Sequence, residues 1–460
     1  MLDEKLMGAL FEDMLRRSNA VGAQLSIIEG DQQLDFAGGY ANADRQLPMT
    51  ADTLMQIGSI TKLFNAILVV SLADEGVLDL HAPVQSITPM VPLPAHRASE
   101  RLTLARLLSM SSGLDNGPYA YYGGGEDALG QYVAHLKALP QHFLPGEHFG
   151  YSNAGTCIAG YIASHVTGKS WETLIRERIL KPAGLTRAAL LEADVLYQPM
   201  SAGHVLSPGG ALEVIDPVLT MARARAPSGA SLALSTGDLA RFARVFLQSG
   251  VADTGARIAS DRCIEWMMSA RTAVPTRKYG TQWCMGPYTG DWNEVRIWGH
   301  GGTSPTSSSF LHWIPDRQGV IAFTVNTHSA MGEFSRIAFD EVTKIAFGTS
   351  KPRFDLPAED PPPTDHRRYV GTYAELGATM EVARGDDDML EIHICPRASA
   401  HRSEQRAVLI PLGEDRFLVS PRDGPDKHRG IVDMAFFGDD GQGRATNALN
   451  LVFPMSRVAS

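Results

Sequence analysis

Gly58-Ser59-Ile60-Thr61-Lys62-Leu63-Phe64-Asn65-Ala66-Ile67-Leu68-Val69-Val70-Ser71-Leu72-Ala73 is the stretch on which the fold turns. Leu63, Phe64, Ile67, Leu68, Val69, Val70 and Leu72 cover most of a helix surface, and a helix apolar nearly all round is a buried central one. Glu75-Gly76 ends it, the glycine suiting a C-terminal cap. Residues three apart share a helix face, so the Lys62 amine can reach the Ser59 hydroxyl. Serine is a weak nucleophile until a base takes its proton. Lysine serves as that base only where burial or neighbouring cations depress its pKa. This helix offers the burial, and amides at its start favour negative charge developing near Ser59. Ser-x-x-Lys by itself decides nothing, since roughly one is expected by chance in a chain of ordinary composition and this length.

The surroundings are those of a large globular protein. With 460 residues, 44% apolar and 20% charged, the chain is expected to form two or three domains or one large two-lobed one. A net charge of −10 and no basic stripe exclude a nucleic-acid partner, because phosphate binding needs clustered Lys and Arg. Near the N-terminus Leu6, Leu10, Phe11, Met14 and Leu15 recur at helical spacing among Glu and Arg, which describes an amphipathic helix rather than a secretory leader. The longest apolar run, around Leu63 to Ala73, is too short to span a bilayer. Cys157, Cys263, Cys284 and Cys395 lie far apart with no C-x-x-C pair, as expected of reduced thiols in a cytoplasmic protein. His393-x-Cys395 lacks the spacing of a zinc site, so no metal and no cofactor are expected.

Strand signals flank a helical middle. Ala23 to Ile28 and Gln33 to Ala37 read as a hairpin around Gly30-Asp31. Val295 to Trp298, Ser309 to Ile314 and Val320 to Val325 read as strands, followed by a helix from Phe334 to Phe347. Between Leu102 and Leu185 the pattern is mostly helical, and Ser235-Thr236 and Asp238 open another helix over Leu239 to Phe246. The fold class is therefore α/β (α+β): one sheet built from both ends of residues 1–350, with an all-helical lobe inserted. Pro352, Pro357 and Pro361-Pro362-Pro363 mark residues 351–366 as a stiff linker. Short strands recur beyond it (Thr379 to Ala383, Leu390 to Ile394, Ala407 to Leu412, Phe417 to Val419, Val432 to Phe437, Leu449 to Phe453). They predict a small antiparallel barrel over residues 367–460, separable from the catalytic part.

Two further motifs give Ser-x-x-Lys its context. Tyr151-Ser152-Asn153 follows Pro145-Gly146 and precedes a helix near Ala154. It offers a phenol to relay protons and an amide to hold a carbonyl. His300-Gly301-Gly302-Thr303 ends a strand, where the glycines let backbone lie close to a substrate and the histidine can donate a hydrogen bond or a proton. Each alone reads equally as a capped turn or a tight bend. Gly150-Tyr151-Ser152-Asn153-Ala154 is also a near miss of the Gly-x-Ser-x-Gly elbow, but no strand precedes it and the pattern is not alternating βα.

Taken in order, Ser-x-x-Lys, Tyr-x-Asn and His-x-Gly resemble the three motifs of the penicillin-recognising serine enzymes. That superfamily holds class C β-lactamases, D-alanyl-D-alanine carboxypeptidases, D-aminopeptidases and related esterases. Leu107-Leu108-Ser109-Met110-Ser111-Ser112-Gly113-Leu114, Leu180-x-Pro182-x-Gly184-Leu185 and Ser235-Thr236-x-Asp238-Leu239 are similar to its supporting text. Tyr369-Val370-Gly371-Thr372-Tyr373 resembles the opening of the lipocalin-like barrel that follows many of these enzymes. The resemblance implies that Ser59 is acylated, that Lys62 and Tyr151 share the acid–base work, and that Asn153 holds the substrate amide. It further implies that His300 stands where the lactamases have lysine, beside Gly301 and Gly302. The amides of Ser59 and Thr303 would form an oxyanion hole. Two departures flank the cleft: Ser304-Pro305-Thr306-Ser307 replaces a further glycine, and Gly229-Ala230-Ser231-Leu232 replaces a Gly-Gly-Leu.

The implied substrate is a small molecule or peptide, with no membrane involved. Hydrolysis of a peptide or amide containing a D-residue leads. An esterase, a stand-alone penicillin-binding-protein-type thioesterase that cyclises nonribosomal peptides, and a catalytically silent ligand sensor stay open. The loop Tyr119-Ala120-Tyr121-Tyr122-Gly123-Gly124-Gly125, with Trp283 and Trp298, points to a bulky hydrophobic acyl group or merely to packing.

Overall fold

The computed structural model describes residues 2–88, 100–207, 210–269, 272–276, 279–352, 364–385, 389–397, 404–421 and 432–458. Most of the proline-rich segment read as a linker lies outside these residues.

The N-terminal helix α1 (Glu4–Ser18) is capped by Asp3, whose side chain accepts from Leu6 N, and buries Met7, Phe11 and Met14. The hairpin β1 (Gly22–Glu29) and β2 (Gln32–Asn42) follows, and then α2 (Thr61–Asp74). Far along the chain come β3 (Tyr288–Trp292), β4 (Val295–Thr303), β5 (Ser308–Ile314) and β6 (Gly319–Val325). Among the described residues these belong to one nine-stranded sheet whose middle runs β2-β1-β6-β5-β4-β3, with Ala23 opposite Val325. The two ends of the region thus share one sheet, as the strand signals predict. The inserted lobe is mainly helical but also carries a three-stranded sheet and a two-stranded one, built from strands of two to four residues. Such short pieces leave no alternation in the sequence to read.

Every residue of α2 is buried except Ser71, Ala73 and Asp74. Its Phe64 ring stacks on Phe242, with centroids 3.7 Å apart. Asn65, the polar residue inside the apolar run, is satisfied: its side chain accepts from Trp171 Nε1 at 2.9 Å and donates to Thr156 O at 3.3 Å. No helix of the described residues is long and apolar enough to cross a membrane.

The C-terminal strands close into an eight-stranded barrel, from Gly371–Ala374 to Phe453–Arg457. One strand expectation fails here. Leu449 to Phe453 is not a single strand but two strand ends, Asn447–Asn450 and Phe453–Arg457, joined by a turn at Leu451-Val452 with Leu451 at φ 61°. The turn is apolar because it packs against the catalytic part, so its composition imitates a strand.

The barrel is in direct contact with the rest of the chain. Val452 O accepts from Tyr151 N at 2.9 Å, and Leu451 O accepts from Thr276 Oγ1 at 2.9 Å. Ala435, Leu449 and Val452 share one apolar core with Phe149, Tyr151 and Trp283. Beneath lies a buried polar cluster. His142 bonds Asp115 Oδ2 through Nε2 at 3.0 Å and Ser456 Oγ through Nδ1 at 2.9 Å. Asp115 also accepts from Leu376 N at 2.9 Å and Gly117 N at 3.0 Å. Burial by itself would raise the Asp115 pKa, but the bonds from His142, Gly117 and Leu376 outweigh it and hold the carboxyl below its ordinary value.

A carboxylate held low stabilises the fold above its unfolded pKa and loses that contribution as pH falls through the folded value. Asp115→Ala strands three donors at this interface and is expected to cost about 3 kcal/mol or more, the typical penalty for breaking a buried pair. Denaturant unfolding at pH 7 checks this, with the penalty shrinking below about pH 4, near the ordinary carboxylate pKa. A variant within 0.5 kcal/mol of the parent, about the scatter of a surface substitution, would remove the cluster from any account of stability.

Candidate active site

A single 3-10 turn, Gly58–Ile60, precedes α2 and delivers Ser59 half-buried to its start. Gly58 has φ +54°, and a Cβ placed on it would lie 2.5 Å from Thr303 N. A Cβ on Gly302 would lie 1.9 Å from Ile57 O and 3.2 Å from Ser59 N. Both positions therefore require glycine, and their absent side chains bring the end of β4 and the Gly58–Ile60 turn into backbone contact. Gly229, at φ +116°, makes the third such approach, since its Cβ would lie 2.8 Å from Ser59 N.

Lys62 lies one turn further on and is 1% exposed. Its Nζ donates to Ser59 Oγ at 3.0 Å and to Ser228 O at 2.5 Å. Burial, helped by the Arg225 charge, lowers its pKa to about 7. The neighbouring Cys157 would oppose this only as a thiolate, and burial pushes that thiol up. The amine is thus half-neutral near pH 7 and can accept a proton from the hydroxyl beside it.

Tyr151 is buried, its ring centroid 4.7 Å from Lys62 Nζ. Burial pushes its phenol well above the ordinary value, partly opposed by a hydrogen bond with Ser59. It is a neutral hydroxyl that can pass a proton. Ser152, the rival nucleophile, is the N-cap of the helix α3 (Asn153–Thr167): its Oγ accepts from Gly155 N at 2.9 Å and donates to Asp115 O at 2.8 Å. A hydroxyl committed at both ends and 1% exposed is structural.

Asn153 Nδ2 donates to Tyr119 Oη at 3.3 Å, while its Oδ1 is buried without a hydrogen-bond partner. Asn116 Nδ2 donates to the same phenol at 2.8 Å, and Asn116 Oδ1 accepts from Asn153 N at 3.1 Å. Sequence reasoning missed Asn116, which belongs to no motif and whose role appears only when the two loops meet. It missed the Ser228 carbonyl for the same reason, since any residue supplies one.

His300 is buried, and its Nδ1 lies 2.6 Å from Gly301 O. That carbonyl only accepts, so Nδ1 carries the proton. Burial, and then the Lys62 charge, lower the pKa of His300 to about 3, so the ring is neutral. Its free Nε2 is therefore an acceptor, not the donor expected from the sequence. Trp283 stands edge-on to His300 at 5.3 Å and to Tyr151 at 5.6 Å, and Phe453 of the barrel packs edge-on to Tyr151 at 5.8 Å. Of the aromatic loop, Tyr119 reaches this group. Tyr122 instead packs on Tyr132 and His135, and Tyr121 is 82% exposed. Ser304-Pro305-Thr306-Ser307 forms a turn in which Ser304 Oγ accepts from the amides of Thr306 and Ser307, and Ser307 Oγ donates to Gln56 O at 2.5 Å.

The chain is 29% identical to "Penicillin-binding protein 4" of Amycolatopsis lactamdurans over 369 residues, 79% of this chain and 96% of that one. The crystal structure of SurE superposes with a TM-score of 0.77 at 24% identity, covering 99% of both chains. The D-amino acid amidase from Ochrobactrum anthropi SV3 does so at a TM-score of 0.58 and 21% identity, covering 70% of this chain and 91% of that one. Residues 7–341, most of the chain and a span that includes Ser59, Lys62, Tyr151, Asn153 and His300, match the family Beta-lactamase, so the chain belongs to the Beta-lactamase family.

Proposed function

We propose that this chain is a serine hydrolase that works through an acyl-enzyme on Ser59 and cleaves a peptide or amide bond, substrates with a D-residue being the first class to test. The observation that carries this reading is the buried Lys62 amine, 3.0 Å from Ser59 Oγ with a pKa of about 7. Keeping a lysine uncharged near neutrality costs folding stability, which a silent binding protein has no reason to spend. The substrate class is supported by fold neighbours: a D-amino acid amidase, and SurE solved with D-Leu.

In this reading Lys62 takes the Ser59 proton as Oγ attacks the carbonyl carbon. The amides of Ser59 and Thr303 receive the oxyanion, each donor contributing about 3 kcal/mol. The proton passes by way of Tyr151 to the leaving amine, the C–N bond breaks, and water repeats the sequence to free the acid and Ser59. Asn153 Oδ1 and His300 Nε2, both unpartnered acceptors, take N–H groups of the substrate.

A fluorophosphonate probe is expected to label Ser59, and mass mapping to Ser152 instead would sink the assignment. The labelling rate should rise with pH, half-maximal near the Lys62 pKa of about 7, because below it the ammonium cannot accept a proton. Lys62→Arg should slow labelling at least about a hundredfold and abolish that pH step. A wild-type rate in that variant would remove Lys62 from the role.

Hydrolysis is favoured over transfer because an amine acceptor must be held in place and water need not be. A peptidyl thioester with a free N-terminus should therefore yield the linear acid. A product lighter by one water would replace hydrolysis by cyclisation.

A further inference from the structure

Two residues apart on the turn Arg223–Ser228, the same segment whose last carbonyl holds Lys62, stand two arginines in different circumstances. Arg223 is clasped by Glu172, with Nε 2.9 Å from Oε1. Arg225 has no carboxylate partner among the described residues, and its Nε is buried without a hydrogen bond. Its guanidinium lies 4.5 Å from the centroid of the Tyr119 ring, which packs beneath the cation. The phenol of that ring is the group that Asn153 Nδ2 reaches, leaving Asn153 Oδ1 free. One phenol ring therefore separates an acceptor lacking a donor from a cation lacking an anion.

A half-buried guanidinium loses part of its hydration, and stacking on one ring returns less than pairing with an anion would. Arginine presents a planar fork matched to carboxylate. We propose that Arg225 is the anion-binding, specificity-determining residue of this cleft, and that the preferred acyl substrate bears a carboxylate a few bonds beyond the amide N–H that meets Asn153. This rests on the Ser59 reading for the location of the substrate, but Arg225 itself takes no part in bond making.

The test needs no turnover. In Ser59→Ala protein, binding of N-benzoylated ω-amino acids, from glycine to 6-aminohexanoate, is compared by ligand-observed NMR with binding of their primary amides. At the best-fitting length the acid should bind roughly tenfold or more tighter, the worth of one charge-assisted hydrogen bond. Arg225→Gln should erase that advantage and Arg225→Lys should keep part of it. Equal binding of acids and amides at every length, or an advantage that survives Arg225→Gln, overturns the proposal. Because this background cannot be acylated, either result leaves the Ser59 assignment to be judged by the labelling experiment alone.

Discussion

The Lys62 amine has a depressed pKa because water is kept from it, and much of this molecule serves that exclusion. α2 is apolar on all sides because its second residue must sit in a dry place. The helical lobe, the central sheet and the turn ending at Ser228 close around it. The ammonium form is disfavoured by burial and by the cation of Arg225, and the neutral form finds Ser59 Oγ within hydrogen-bond reach. His300 belongs to the same economy of charge. A protonated imidazole beside Lys62 would add a second cation to a buried site, and burial keeps that ring neutral.

The parts of this arrangement that were legible in the sequence are those with a local signature. Ser59 and Lys62 are three residues apart on one helix, so their contact follows from helical geometry. Gly302 is legible as a residue that lets backbone approach, although only the folded chain shows that it lies against Ile57, and nothing local marks Gly58 as its counterpart. The role of His300 was half legible. Its position follows from the motif, but its tautomer depends on the Gly301 carbonyl, and no residue name carries that information. Asn116, the Ser228 carbonyl and the Leu451-Val452 turn were illegible because each acts on a residue tens or hundreds of positions away. The apolar turn misled for a physical reason: burial against a neighbouring part selects the same residues as burial within a strand.

The barrel is tied to the catalytic part by backbone and side chain together. Tyr151 N is bonded to Val452 O, so the barrel fixes the backbone of a residue whose phenol faces Ser59 and Lys62. Asp115 joins the two parts from the other side. Its side chain accepts from Leu376 N of the barrel, while its carbonyl accepts from the cap of α3. Movement of the barrel would therefore be felt at both Tyr151 and Ser152.

The pairing of Ala23 with Val325 also carries a consequence in time. During synthesis β1 can hydrogen-bond to β2 at once, but its other edge waits until β6 has been made. At about 5–20 residues per second that delay is on the order of 15–60 s. Throughout it α2, almost wholly apolar, lacks the completed sheet, and Phe242, on which Phe64 stacks, is added only late in it. The newborn chain thus carries an almost wholly apolar helix whose sheet covering is made long after the helix itself.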